Sequence, residues 1–353
     1  MRVCLIASSR FPVREPYQGG LEAHTATLAA ALIARGHHVS LFAAPGSDPR
    51  LNVEELEVDT FEPSAAARQD VGSPPRMWMQ EHHAYLRLML ELIATGAERF
   101  DVIHNNSLHH LPVAMARALA VPMISSLHTP PLAWLESAMS LAGDEVTFTA
   151  VSDHTARAWS HAVDARVIRN GVDTQCWSPG PGGPRAVWTG RLVPEKAPHL
   201  AIRAARAAGI DLVLAGARLD PGYFDREVAP LLDRHVEYAG HLSSHELGEL
   251  VGGSAVAIVS PTWDEPYGLV AAEAMSCGTP VAAFARGAMP EIVAPVGGTL
   301  AVPGDVQSLA DAVRSAGRLD RGRVRAHAVD RLGIDPMVDG YERVYEQVGG
   351  EAA

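Results

Sequence analysis

Lysine is almost missing from this sequence of 353 residues: of 29 cationic side chains, Lys196 is the one lysine and the rest are arginine. A chain that otherwise uses guanidinium groups, yet keeps a compact, flexible ammonium at one position, marks that position as one a rigid planar fork does not suit. Cysteine is scarce as well. Cys4, Cys176 and Cys277 are odd in number and far apart, which speaks against a disulfide framework or a cysteine-rich zinc site and fits a reducing cytoplasm. No apolar run approaches the roughly 18 residues of a membrane span, and the segment from Met1 to Ala7 is too short for the apolar core of a signal peptide, so it reads as a first strand. Excess positive charge is lacking too. A net charge of −12 and a pI near 5.7 repel phosphate backbones and anionic lipid, which argues against nucleic acid as a partner.

What is present is a globular balance, 47% hydrophobic and 20% charged, in a chain long enough for two cores of roughly 150 to 200 residues each. Short apolar runs alternate with helical patterns, the mark of βαβ units in an α/β fold. The spacing predicts strands over Arg2 to Ala7, Val39 to Ala43, Asp101 to His104, Met123 to Leu127, Thr147 to Ser152 and Ala165 to Ile168. Helices are expected over Leu21 to Arg35, stopped by Gly36, over Arg76 to Arg99, and over the alanine-rich stretch Pro112 to Leu119. A run from Asp173 to Pro184, containing Ser178-Pro179-Gly180-Pro181-Gly182-Gly183-Pro184, then defeats any regular element. Alternation restarts with strands at Ala186 to Gly190, Leu212 to Ala215, Val236 to Tyr238 and Ala255 to Ser260, and a helix at His199 to Ala208. The expected organisation is a first doubly wound domain over 1–172, a second over 173–335, and a last helix over 336–353 that returns to the first domain.

Three segments carry chemistry. Asp264-Glu265-Pro266-Tyr267-Gly268-Leu269-Val270 ends a strand and opens a helix that holds Glu273. Free N–H groups of a first helical turn form a ready phosphate site, Glu265 can accept from sugar hydroxyls, and Glu273 can reach a ribose diol. Against this stands the plain reading of two glutamates, one beside a helix dipole and one on a solvated face, which the apolar Leu-Val-Ala-Ala run before Glu273 disfavours. Gly190-Arg191-Leu192-Val193-Pro194-Glu195-Lys196 follows another strand, where ligands bind in open parallel sheets, and Arg191 with Lys196 can neutralise a departing diphosphate. Gly19-Gly20 opens the first helix, again with free amides, and lacks the G-x-G-x-x-G spacing of a dinucleotide fold. His128 follows a strand at the same edge and can meet a sugar hydroxyl or serve structurally. His104, Asn105, Asn106, His109 and His110 are candidate acceptor contacts. No set of side chains has the spacing of a metal site.

Taken in order, Gly19-Gly20, Arg35-Gly36-His37, Asn170-Gly171-Val172-Asp173, Gly190-Arg191-Leu192, Glu265-Pro266-Tyr267-Gly268-Leu269 and Glu273-Ala274-Met275-Ser276-Cys277-Gly278-Thr279-Pro280 resemble glycosyltransferase family 4. The likeness covers nearly the whole chain, with the Glu265 and Glu273 pair as its most specific mark. It implies two Rossmann-like domains facing a cleft, the GT-B architecture, and transfer of a sugar, most commonly from a UDP-sugar, with retention of configuration and without metal or bound cofactor. By the resemblance Arg191 and Lys196 hold the diphosphate, Glu273 the ribose and Glu265 the transferred sugar, while Gly20 donates a backbone contact and His128 sits beside the sugar. His241 and Leu242, in Gly240-His241-Leu242, border the base, and Tyr267, Gly268, Leu269 and Val270 complete the donor side. Ala197 departs from the family, which places glycine there, and puts the local loop conformation in question. The Arg76 to Arg99 helix mixes three arginines with glutamates, so strong membrane docking is not expected, and the acceptor is expected to be a soluble small molecule or glycoside. The competing readings are a nucleotide-sugar epimerase or hydrolase on the same fold, and a silent nucleotide-sugar-binding subunit. A phosphorylase would need a lysine for pyridoxal phosphate, and Lys196 lies in the diphosphate motif.

Overall fold

The computed structural model describes residues 1–351, which form two parallel-sheet α/β units. In the first, β1 (Arg2–Ile6), β2 (His38–Ala43), β3 (Val53–Glu55), β4 (Val102–Asn105), β5 (Met123–Leu127), β6 (Val146–Ala150) and β7 (Arg166–Val167) lie in the order β3-β2-β1-β4-β5-β6-β7. In the second, β8 (Ala186–Thr189), β9 (Leu212–Ala215), β10 (Val236–Tyr238), β11 (Val256–Val259), β12 (Val281–Phe284) and β13 (Gly298–Ala301) lie in the order β10-β9-β8-β11-β12-β13. Every strand pairing is parallel, and the central strands are buried along nearly their whole length, with His104, Asn105, Ser125 and Ser126 as polar exceptions among apolar side chains.

Each sheet is covered on both faces by helices, which divides each unit's core into two apolar clusters. The alanine-rich stretch differs from expectation. Its helix spans only Leu111–Met115 and tightens into a 3₁₀ turn at Ala116–Ala118 before the chain extends towards Pro122. Among the described residues, no helix is long and apolar enough to cross a membrane.

The Pro/Gly run between the sheets has no regular element, yet it is pinned. Gly180 N–H donates to Cys277 carbonyl at 3.1 Å and Gly182 N–H to Gly252 carbonyl at 2.9 Å, while Arg325 donates to the carbonyls of Trp177 (2.8 Å) and Thr174 (2.7 Å). A Cβ on Gly180 would fall 2.4 Å from Gly252 backbone, so the close approach requires glycine there.

The last helix, Ile334–Glu351, lies on the first unit. Arg35 reaches Asp335 (2.9 Å), Asp339 (2.5 Å) and Glu342 (2.9 Å), while Tyr341 and Tyr345 enter the first core. The two chain crossings run side by side, with Val172 N–H donating to Leu332 carbonyl at 2.8 Å. Further contacts join the units near the hinge: Ser152 and Thr155 hydroxyls donate to Pro266 carbonyl at 2.6 and 3.1 Å, and Glu291 accepts from the amides of Asp153 and His154 at 2.9 Å.

Candidate active site

Between the two units lies a cleft of about 1390 Å³, walled by the loops at the carboxyl ends of β1, β5, β8, β9 and β11. Gly20, His128, Arg191, Lys196, His241, Leu242, Glu265, Tyr267, Gly268, Leu269, Val270 and Glu273 all line it. Parallel sheets bind ligands at this edge because every strand there delivers a loop and the following helix presents its N-terminus.

The two helix starts confront each other. Gly20–Ala34 begins behind Gly19 with no side-chain cap, and Leu269–Ser276 begins behind Gly268, also uncapped, so both first turns keep amides without intrahelical partners. A Cβ on Gly20 would lie 3.3 Å from Leu269 Cδ1, and one on Gly19 3.7 Å from Arg191 Cδ. Positive helix ends and Arg191 therefore converge on one space, which favours an anion. Glu22, in the first turn of Gly20–Ala34, is buried, and its carboxyl titrates above the usual range through desolvation, with Arg191 and Arg10 pulling the other way.

On the opposite wall Lys196 Nζ meets Glu265 Oε2 at 2.5 Å, and Trp263 Nε1 donates to the same oxygen at 3.0 Å. The ammonium also sits 5.1 Å from the centre of the Trp263 ring. Glu265 is thus held by a charge-assisted bond, an indole and its own backbone, whose carbonyl accepts from Ala288 N–H at 2.8 Å. Arg191 stands freer, with Glu195 at 4.0 Å.

Ala197, after the lysine, adopts φ 47° and ψ 52°, the left-handed conformation that glycine takes at low cost. The loop therefore keeps a glycine-like turn despite its methyl group. Glu273 lines the cleft with no hydrogen bond from the described residues, and desolvation pushes its carboxyl up to about 7.

Some residues serve differently from expectation. His104 is fully buried beneath the last helix, accepting or donating at Tyr345 Oη and Ser126 Oγ, each at 2.7 Å, and Asn105, on the other face of the same strand, is buried against Ser125 and Ser107; neither is exposed to an acceptor. The Tyr267 hydroxyl donates to Asn170 carbonyl at 2.6 Å, so the backbone is what this residue offers the cleft. His241 Nε2 donates to Tyr17 carbonyl at 2.9 Å and so bridges the cleft. His128 Nε2 donates to Asn106 Oδ1 at 2.8 Å, which leaves Nδ1 as an acceptor, and burial keeps the ring neutral by holding its pKa well below the ordinary value.

Sequence reasoning overlooked Trp263, Gly287 and His24. Trp263 stands two residues before Glu265, a proximity visible in the sequence, but its indole bond is not. Gly287 has φ +62°, and a Cβ there would lie 2.2 Å from Glu265 N. His24 is buried at the cleft floor beside His128, ring centres 4.9 Å apart, with neither ring nitrogen partnered among the described residues and a pKa lowered to about 4 by desolvation.

Residues 18–175 match the family profile described as Glycosyltransferase Family 4, and residues 180–327 the one described as Glycosyl transferases group 1. The chain is 30% identical to a D-inositol 3-phosphate glycosyltransferase of Mycolicibacterium paratuberculosis, over 94% of this chain and 85% of that protein. It is 29% identical to a glycogen synthase of Mycobacterium tuberculosis, over 89% of this chain and 86% of that protein. Its fold matches that of HepE from Anabaena, solved in complex with UDP-glucose, with a TM-score of 0.75 at 18% identity over 98% of this chain and 99% of that one. On these grounds the chain belongs to the family 4 glycosyltransferases of GT-B architecture.

Proposed function

We propose that this glycosyltransferase is a retaining, metal-independent enzyme of the cytoplasm that takes a sugar from a nucleoside diphosphate, uridine foremost, and adds it to a hydroxyl of a soluble small molecule or glycoside. The observation that carries this reading is the convergence of Lys196, Arg191 and two uncapped helix starts on one space, flanked by Glu265 and Glu273. UDP as donor base is supported by the UDP-glucose complex of HepE, which shares the fold. The relatives' names differ in acceptor, a glucan in one and a phosphorylated cyclitol in the other, so the acceptor is argued from this chain's own residues.

In this reading the diphosphate sits between the amides at Gly20, Leu269 and Val270, with Arg191 and Lys196 neutralising the charge that grows as the glycosidic bond breaks. Gly268 lets the backbone approach, and Tyr267 contributes its main chain. Glu273 accepts from the ribose diol, Glu265 from sugar hydroxyls, and His241 and Leu242 border the base. His128 stands beside the sugar. The acceptor oxygen bonds to the anomeric carbon on the face from which the diphosphate leaves, and the acceptor's proton passes to the departing phosphate oxygen. No residue here needs to act as a covalent nucleophile. The three free cysteines, two of them buried, accord with a reducing compartment.

The test is the melting temperature of the wild type and Lys196→Ala with saturating UDP, GDP, ADP and dTDP. A ligand at a hundredfold excess over its dissociation constant adds about 2.7 kcal/mol, enough for a rise of a few degrees. UDP is expected to give that rise in the wild type and a much smaller one in the variant, whose turnover falls by about 100-fold or more. A wild type unmoved by all four nucleotides would sink the donor-site assignment.

A further inference from the structure

Away from the donor wall, a group of rings crowds one flank of the first domain. The start of the Arg76–Arg99 helix supplies Trp78 and His82, the loop after β4 supplies His109 and His110, and the start of the Ala133–Ala142 helix supplies Trp134. Trp78 stacks on His82 with centres 5.2 Å apart and planes within 10°. His109 stacks on His110 at 4.5 Å, His110 on Trp134 at 5.4 Å, and Trp134 stands 6.0 Å from Trp78. Trp134 is nevertheless 62% exposed, an arrangement that orders several rings while leaving a broad aromatic face to solvent.

The rings of this shelf do not themselves line the cleft, but two of the loops that carry them run from its wall. The β4 loop begins at Asn106, which holds His128, and Leu108, His128 and Thr129 line the cleft. The carbonyl of Thr129 accepts from Trp159 Nε1 at 2.8 Å, which fixes the turn that leads on to Trp134.

The shelf and the adjoining wall are also electrically quiet. Desolvation lowers the pKa of His82 and His110 and brings that of His109 down to about 3, with neighbouring imidazoles acting in the same direction. The arginines that the first domain presents to the cleft are each paired: Arg10 with Glu81 at 3.6 Å, Arg35 with Asp339 at 2.5 Å, and Arg50 with Asp48 at 2.6 Å. His109 Nδ1 accepts from Leu111 N–H at 3.2 Å, so its Nε2 carries the hydrogen, which lies buried beneath the shelf with no acceptor among the described residues.

We propose that this shelf is an outer acceptor subsite for a neutral pyranoside ring, which makes the acceptor an uncharged glycoside or glycan rather than a phosphorylated molecule. The inference rests on reading the cleft as the site of sugar transfer. A pyranose presents a face of C–H groups, which packs on an aromatic plane such as that of Trp134, and a rim of hydroxyls, which the neutral His110 imidazole can both donate to and accept from. A phosphate on this side would lose water without meeting a free cation.

Saturation-transfer NMR on the full chain with bound UDP tests the idea, using maltotriose, methyl α-D-glucopyranoside and glucose 6-phosphate as probes. Maltotriose is expected to bind the wild type, and Trp134→Ala and His110→Ala are each expected to weaken it about tenfold while leaving the UDP-induced rise in melting temperature unchanged. Glucose 6-phosphate is expected to bind no better than the methyl glucoside. The proposal is overturned if the wild type binds none of the neutral probes, if Trp134→Ala binds maltotriose as well as the wild type, or if the phosphorylated sugar is preferred. A Trp134-dependent fluorescence change with phosphatidylcholine vesicles but not with glycosides overturns it too, by marking a lipid-facing surface. Failure of the donor reading would instead remove the UDP response from the wild type itself.

Discussion

At the scale of single residues, Glu273 illustrates how burial sets up a site for a partner. Its carboxyl is pushed up to about 7 by desolvation at the cleft wall, where it meets no hydrogen-bond donor among the described residues. Hydroxyls of a ribose diol would supply two, and would favour the ionised form. UDP is therefore expected to bind more tightly as pH rises from 6.5 to 8, with a proton released on binding. Glu273→Gln, which keeps the shape and loses the charge, is expected to weaken UDP roughly 10- to 100-fold at pH 8 and to flatten the profile. Titration calorimetry in buffers of different ionisation enthalpy reads both effects, and the variant serves as the control for protonation of the nucleotide's own phosphate. A pH profile identical in variant and wild type would remove Glu273 from the ribose site.

At the scale of elements, the site depends on backbone held where side chains do not fit. The loop after β12 packs so closely on the loop after β11 that a Cβ at Gly287 would lie 2.2 Å from Glu265 N and 2.3 Å from Glu265 O. The φ of +62° there adds a second reason for glycine. Gly287→Ala is expected to cost about 3 kcal/mol or more if the loops stay put, and less if they part. Parting moves Glu265 away from Lys196 and Trp263. The expected result is a folded protein, by circular dichroism, with a melting temperature a few degrees lower and a kcat down by about 100-fold. Near-normal turnover in Gly287→Ala would show that the position of Glu265 is not controlled by this contact.

At the scale of the whole molecule, buried histidines make stability depend on pH. His24, His104 and His109 are held neutral, with pKa values lowered to about 4, 3 and 3 chiefly by desolvation, and His128 is lowered as well. The unfolded chain takes up these protons near pH 6.5 and the folded chain does not. Stability is thus present above 6.5 and falls as pH drops from there towards the folded values, by about 1.4 kcal/mol per pH unit for each group. Glu273, whose proton the folded chain binds already near pH 7, and Glu22, also raised by desolvation, work the other way, but they are two groups against four. The melting temperature without ligand is expected to decline by several degrees between pH 7 and pH 5.5. A flat thermal profile over that range would mean that these rings gain solvent or partners on protonation.

Much of the architecture is encoded locally. Strand runs such as Met123–Leu127 and Leu212–Ala215, the Arg76–Arg99 helix and the glycine-opened turns are legible because apolar period and backbone preference act within about ten residues. The strands Val281–Phe284 and Gly298–Ala301 escaped notice, since alanine and glycine carry little strand preference and tertiary burial alone makes them strands. The segments that line the cleft were likewise recognisable one by one. What joins them was not. Lys196 and Glu265 stand 69 positions apart in the chain, and His104 and Tyr345 stand 241 apart. Such pairs follow from strand order and from the return of the last helix. The sequence by itself determined the elements and the types of chemistry they bring, because those depend on neighbours along the chain. Only the tertiary structure decided which groups share a bond, which are buried out of reach, and where the aromatic shelf adjoins the cleft, because desolvation and pairing depend on neighbours in space.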